Sequence, residues 1–281
     1  MRIVDLHVHS KASDGTFSPT ELVKAAAKCG LAAFALTDHD TVYGVDEAIN
    51  AAANLNLKVI PGIEISTSYK DKEIHIVGLD VDHHSEALSD CLGNEIERRN
   101  ERNLQMIDKF NEHGFPVTME ELIDMFPDSV ITRAHFAKFM VKKGYVKTYN
   151  DAFERYLGDG MPLYVSRKKK TPQEAINMIR AAKGIPVLAH PLLYHLTMRE
   201  LEELCIELKQ YGLIGIETMY STYKAFDELA IKELAAKVGL LESGGSDFHG
   251  DNKPHIRLGS GMGTLRIDYS YLEKLLAAKP N

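Results

Sequence analysis

Nine residues of this 281-residue chain have the chemistry of metal ligands and recur at equivalent places along it. His7 and His9 stand at i and i+2 in an apolar run, a spacing that points both side chains to one face of a strand. Asp14 follows in the loop Ser13-Asp14-Gly15, and His39 lies in Thr37-Asp38-His39-Asp40 at the end of the next run. Glu64, His75 and His190 occupy later runs, and Asp247 and His249 follow the last one. Imidazoles and carboxylates at one end of six strands describe a ring of ligands around one cavity. Neutral imidazole with carboxylate and no thiolate suits Mn²⁺, Fe²⁺ or Zn²⁺ and disfavours Ca²⁺. Six histidines and three carboxylates exceed the needs of one ion, so more than one is expected. Clustered cations neutralise phosphate oxygens and lower the pKa of bound water, which makes phosphoester hydrolysis the natural chemistry and amide hydrolysis its competitor. His83, His84, His113, His195 and His255 lack this placement and are expected on the surface or in loops.

The elements that must position these groups follow from periodicity. Strands are expected over 2–9, 32–37, 58–65, 73–80, 185–189, 215–219 and 240–244, with helices over 19–29, 45–54, 172–183, 198–210 and 223–238. Ser18 and Pro19 form the start signal of the first helix. Between about 92 and 165 the rhythm breaks into helices over 95–110, 119–125, 133–143 and 150–156 with no strand between them. Seven strands in β/α order imply an α/β fold, a distorted TIM-like barrel, built from 1–91 and 166–281 with an all-helical insertion at 92–165. Active sites of such barrels sit at the C-terminal ends of the strands, where the nine residues fall. No glycine-rich phosphate loop follows the first strand, so the dinucleotide fingerprint is absent.

Composition excludes other classes. The chain is 44% hydrophobic and 26% charged, with 33 basic against 40 acidic residues. A net charge of -7 does not suit a protein that coats long nucleic acids, and no stable complex of that kind is expected. No apolar run reaches the roughly 20 residues of a membrane span, and the first residues carry no signal-peptide pattern. Three scattered cysteines, Cys29, Cys91 and Cys205, argue for a reducing cytoplasm.

His-Val-His-Ser at 7–10 with Ser-Asp-Gly, Thr-Asp-His-Asp-Thr at 37–41, Pro-Gly-Ile-Glu at 61–64, the run 75–80, Val-Leu-Ala-His-Pro at 187–191 and Gly-Ser-Asp-Phe-His-Gly at 245–250 together resemble the polymerase-and-histidinol-phosphatase (PHP) family, in the family's order. The resemblance implies a seven-stranded barrel with up to three metal ions. It implies that His7, His9, Glu64 and Asp247 hold one ion, that Glu64 bridges to a second held with His75 and His190, and that Asp14, His39 and His249 hold the third. Segments 132–135, 142–145 and 156–162 resemble the branch that acts on nucleoside 3′,5′-bisphosphates and short 5′-phosphorylated oligonucleotides, although Ala134 and Ser166 stand where that branch often has proline. Arg133, His135 and Arg167 are then candidates to contact substrate, since arginine clamps phosphate through two parallel hydrogen bonds. Asp38, Asp40 and His249 are the candidates for general acid. A histidinol-phosphate phosphatase, a processive nuclease and a non-catalytic metal-binding module are the alternatives.

Overall fold

A computed structural model describes residues 2–70, 72–127, 129–166 and 170–279, with no side-chain account at 87, 90, 91 and 94–96. Strands β1 (Ile3–Val8), β2 (Ala33–Leu36), β3 (Lys58–Tyr69), β4 (Lys72–Leu79), β5 (Ile185–Leu188), β6 (Gly215–Tyr220), β7 (Leu241–Gly245) and β8 (Ile267–Asp268) form one sheet in the order β7-β6-β5-β4-β3-β2-β1-β8. The β1–β2, β2–β3, β5–β6 and β6–β7 pairs are parallel. The sheet nearly closes into a barrel, because the segment after β7 meets β1. His9 N–H donates to Phe248 O (3.0 Å) and Asp247 N–H to His7 O (2.9 Å). The close approach requires a glycine, since a Cβ on Gly245 would lie 2.2 Å from His7 Cβ.

Helices α1 (Pro19–Lys28) and α2 (Val45–Ala52) follow β1 and β2, and α7 (Pro172–Ala181), α8 (Met198–Tyr211) and α9 (Ala225–Val238) cover the second half. Ser18 and Glu21 close a capping box on α1, and Thr171 with Glu174 does the same for α7. Ile63, Ile76, Ile179, Leu204 and Leu234 form one buried layer between strands and helices.

Three features differ from the expected pattern. The sheet has an eighth strand, β8, two residues paired antiparallel to Ile3 and Val4 and too short to show a period. A final helix α10 (Tyr269–Ala277) follows it. Strand β4 runs antiparallel to both neighbours. Only residues 70 and 71 separate β3 from β4, which leaves no room for a crossover.

The helical segment begins earlier than expected, with α3 spanning Glu86–Glu112. Leu88 and Leu92 pack into the barrel's layer, whereas Met106 and Phe110 join a separate core with α4 (Met119–Met125) and α5 (Arg133–Lys142). The expected helix at 150–156 is a short α6 (Tyr149–Ala152) that widens into a π-turn over Phe153–Leu157. None of the helices among the described residues is long and apolar enough to cross a membrane.

Candidate metal centre

Glu64 is the centre of the site. Its Oε2 lies 3.3 Å from His7 Nε2, 3.3 Å from His9 Nε2 and 3.0 Å from His39 Nδ1, and its Oε1 lies 2.8 Å from His75 Nδ1 and 3.1 Å from His190 Nε2. Asp247 Oδ1 is 3.3 Å from both His9 Nε2 and His249 Nδ1. Asp14 closes the far side, 3.2 Å from His249 Nε2 and 3.9 Å from the nearest nitrogens of His9 and His39. All nine residues therefore converge. Groupings with mutually close ligand atoms are His9-Asp14-His39-His249, His7-Glu64-His190, His7-His9-Asp247 and His39-Glu64-His75. They share members, as a multinuclear site would.

The strands deliver these groups at the cost of backbone strain. His190 after β5 and Asp247 after β7 both have positive φ, 24° and 55°. Non-glycine residues rarely adopt that region, and it persists where surrounding structure enforces it. Here it turns each ligand inward.

Burial and charge act against each other throughout the cluster. Burial would depress the His9 and His75 imidazoles, but hydrogen bonds and charge from Asp247 and Glu64 for the first, and from Glu64 and Glu73 for the second, raise them to about 9 and about 10. Burial disfavours ionised Glu64, Asp14 and Asp247, yet the surrounding cations hold all three well below the usual carboxylate range. His249 goes the other way, pushed down to about 4 by burial and then by Lys253 and His9.

The donor set fits divalent cations. Nδ1 of His9 and of His190 are buried without a hydrogen-bond partner among the described residues, and imidazole and carboxylate atoms face each other at ligand–ligand spacings.

Several contributors were not anticipated. Glu217 on β6 is fully buried, with Oε1 2.9 Å from His7 Nδ1 and Oε2 accepting the His190 N–H at 2.6 Å. It fixes His7 and His190 at once, as carboxylates behind metal-binding histidines do. The signal was a charged residue inside an otherwise buried strand. Tyr220 OH and Lys253 Nζ both donate to Asp247 Oδ2 at 2.6 Å.

The cavity has two adjoining lobes of about 270 and 260 Å³ that share Asp14, His39, His75 and Tyr149. The first is lined by seven of the nine candidate residues, all but His7 and His9. The second is walled by Arg99 and Arg102 of α3, Arg133 of α5, and the rings of Phe153 and Tyr164. Arg133 lies against the Tyr164 ring and donates to Glu73 (3.2 Å) and Asp159 (2.8 Å).

Three assignments need correction. Asp38 does not reach the cavity, because its carboxylate accepts from Ser10 N–H (2.8 Å), Ser10 Oγ–H (2.6 Å) and Ser13 Oγ–H (2.6 Å) and organises the Asp14 loop. Asp40 is buried in an ion pair with Arg99. His135 is also turned away, its Nδ1 accepting the Thr132 N–H at 2.9 Å to cap α5 while its ring packs on Phe126. Burial and then Lys138 push it to about 3, so it is neutral and carries no charge for a phosphate. Arg167 lies outside the described residues.

Comparison with known proteins agrees with this geometry. The model of the PHP domain matches residues 5–158, and the chain belongs to that family. A 5′-3′ exoribonuclease of Haemophilus influenzae is 38% identical over 87% of this chain and 89% of its own. A 3′,5′-nucleoside bisphosphate phosphatase of Chromobacterium violaceum is 36% identical over 89% and 88%. A crystal structure from Bifidobacterium adolescentis, described as a metal-dependent phosphoesterase, superposes with a TM-score of 0.88 at 28% identity, covering 100% of this chain and 97% of that one. The class defined by fold and site is that of metal-dependent phosphoester hydrolases.

Proposed function

We propose that this enzyme releases phosphate from a nucleoside 3′,5′-bisphosphate and also acts on short 5′-phosphorylated oligonucleotides, using three divalent ions, Mn²⁺, Fe²⁺ or Zn²⁺, held by the nine converging residues. The observation that carries the reading is the second lobe. Three arginines and three aromatic rings open directly onto the ligand ring, so a second phosphate and a base can be held while the first phosphate meets the metals. Relatives named for these two activities support it.

Bound cations would supply Lewis acidity to the scissile phosphate and to the attacking water. The chain's own residues do the rest. Arg99, Arg102 and Arg133 bind and orient the distal phosphate, and Tyr149, Phe153 and Tyr164 flank the base. Lys253 and Tyr220 fix the outer oxygen of Asp247. His249, held neutral, is suited to ligation and not to giving a proton at neutral pH. Residues 92–165 act as a substrate-binding cap on a barrel formed by 1–91 and 166–281. Free Cys29 and Cys205 accord with a cytoplasmic location, and the substrates are small nucleotides.

Arg133→Ala should raise KM for adenosine 3′,5′-bisphosphate by one to two orders of magnitude, roughly the worth of a charge-assisted pair. KM for a singly phosphorylated nucleoside should barely change. Equal losses on both substrates would remove Arg133 from distal phosphate binding.

A further inference from the structure

His83 and His84, two histidines outside the ligand ring, converge on a carboxylate of their own. They lie on the loop between β4 and α3, and Asp46 stands in the first turn of α2. None of the three lines either lobe of the cavity. His83 Nε2 is 3.0 Å from Asp46 Oδ1 and His84 Nε2 is 3.3 Å from the same oxygen. The two rings sit 4.1 Å apart with a 39° tilt. The loop is anchored on both sides: Val81 N–H donates to Pro61 O (3.1 Å), Asp82 N–H to Ala182 O (2.7 Å) and Ser85 N–H to Asp82 O (3.0 Å).

These two separations suit ligands around one ion, and all three donor atoms lie within 4.8 Å of one another. With metal–ligand bonds of about 2.0–2.1 Å, neighbouring donors are about 3 Å apart in an octahedron and about 3.4 Å apart in a tetrahedron. Both observed distances fall in that span. Without an ion, contacts to Asp46 already gather the two imidazoles, and binding an ion would turn each ring nitrogen's lone pair from Asp46 toward the metal.

We propose that Asp46, His83 and His84 form a second, separate metal site for a borderline divalent cation, best filled by Zn²⁺. Two imidazoles and a carboxylate leave positions for water and favour Zn²⁺, Ni²⁺ or Cu²⁺ over Mg²⁺ or Ca²⁺. A bound ion ties α2 to the loop leaving β4 and stabilises the fold by mass action. The inference stands independently of the phosphoesterase reading.

The test is bound zinc per chain after dialysis of metal-stripped full-length protein against buffered Zn²⁺, in wild type, His84→Ala and Asp46→Asn. The His84 side chain is 68% exposed, so its removal leaves no packing void. Both variants should bind one zinc fewer, with Mn²⁺-dependent turnover unchanged. An unchanged zinc count in both variants overturns the proposal. Loss of turnover alongside the lost zinc also overturns it, because the site would then not be separate from the cavity.

Discussion

Five imidazoles surround Glu64, and a buried carboxylate there stays ionised only because positive charge is close on every side. In the metal-free protein charge on His39, His7 and His75 does this, and the cluster holds protons on His9 and His75 up to about 9 and about 10. Metal must displace those protons, so its affinity should rise with pH through this range and its binding should release protons. Calorimetry in buffers of different ionisation enthalpy would measure the release, and none at pH 7 would contradict it. The stability these histidines lend the metal-free protein follows the same sign. It is complete below their ordinary value near 6.5 and lost as pH climbs to about 10. Glu217→Gln should weaken metal binding by about 10–100-fold, since it lets two ligands turn, and a metal titration would check this. The convergence of the nine residues was legible because imidazole and carboxylate groups recurred at strand ends. Asp38 and Asp40 were misread because proximity to His39 in sequence says nothing of direction: one serves Ser10 and Ser13, the other Arg99. Lys253 and Tyr220 carried no sequence signal, since their role exists only where Asp247 folds against them.

The ligands stand on strand ends whose packing leaves little slack. Gly245→Ala would drive a methyl into His7 Cβ, separating β7 from β1 where the barrel closes. It should destabilise the protein by several kcal/mol, at or above about 3 kcal/mol, seen as a large loss of Tm. A near-wild-type Tm would refute that account of the closure. The insertion has its own core, so Phe110→Ala should cost about 3–5 kcal/mol and speed amide exchange in α4 and α5 ahead of the barrel strands. Uniform acceleration would show that barrel and cap unfold together. Most of the β/α order was readable from periodicity, because α1, α7 and α8 have capping boxes and an apolar stripe. The reversed β4 and the two-residue β8 were not. Direction is set by the length of the preceding connection, and a two-residue strand has no period to read. The lobe formed by Arg99, Arg102 and Arg133 was half legible: α5 offered its arginine in a recognisable segment, whereas no motif set the arginines of α3 apart from the rest of their helix.

At the scale of the whole molecule, the proposed function divides the work between barrel and insertion. The barrel gathers metal ligands, and the helical segment brings arginines and aromatic rings to the adjoining lobe. Removing divalent ions with a chelator should abolish turnover and lower Tm, with Mn²⁺ restoring both. Turnover that survives complete removal would break the link between ligand ring and chemistry. The central claim meets its most direct test in phosphate release by the Mn²⁺-loaded protein from adenosine 3′,5′-bisphosphate, measured beside histidinol phosphate and a short 5′-phosphorylated RNA. The two-lobed cavity predicts that the bisphosphate is hydrolysed with a kcat/KM far above that for histidinol phosphate, with activity on the RNA as well. Preference for histidinol phosphate would contradict the role given to the arginine lobe.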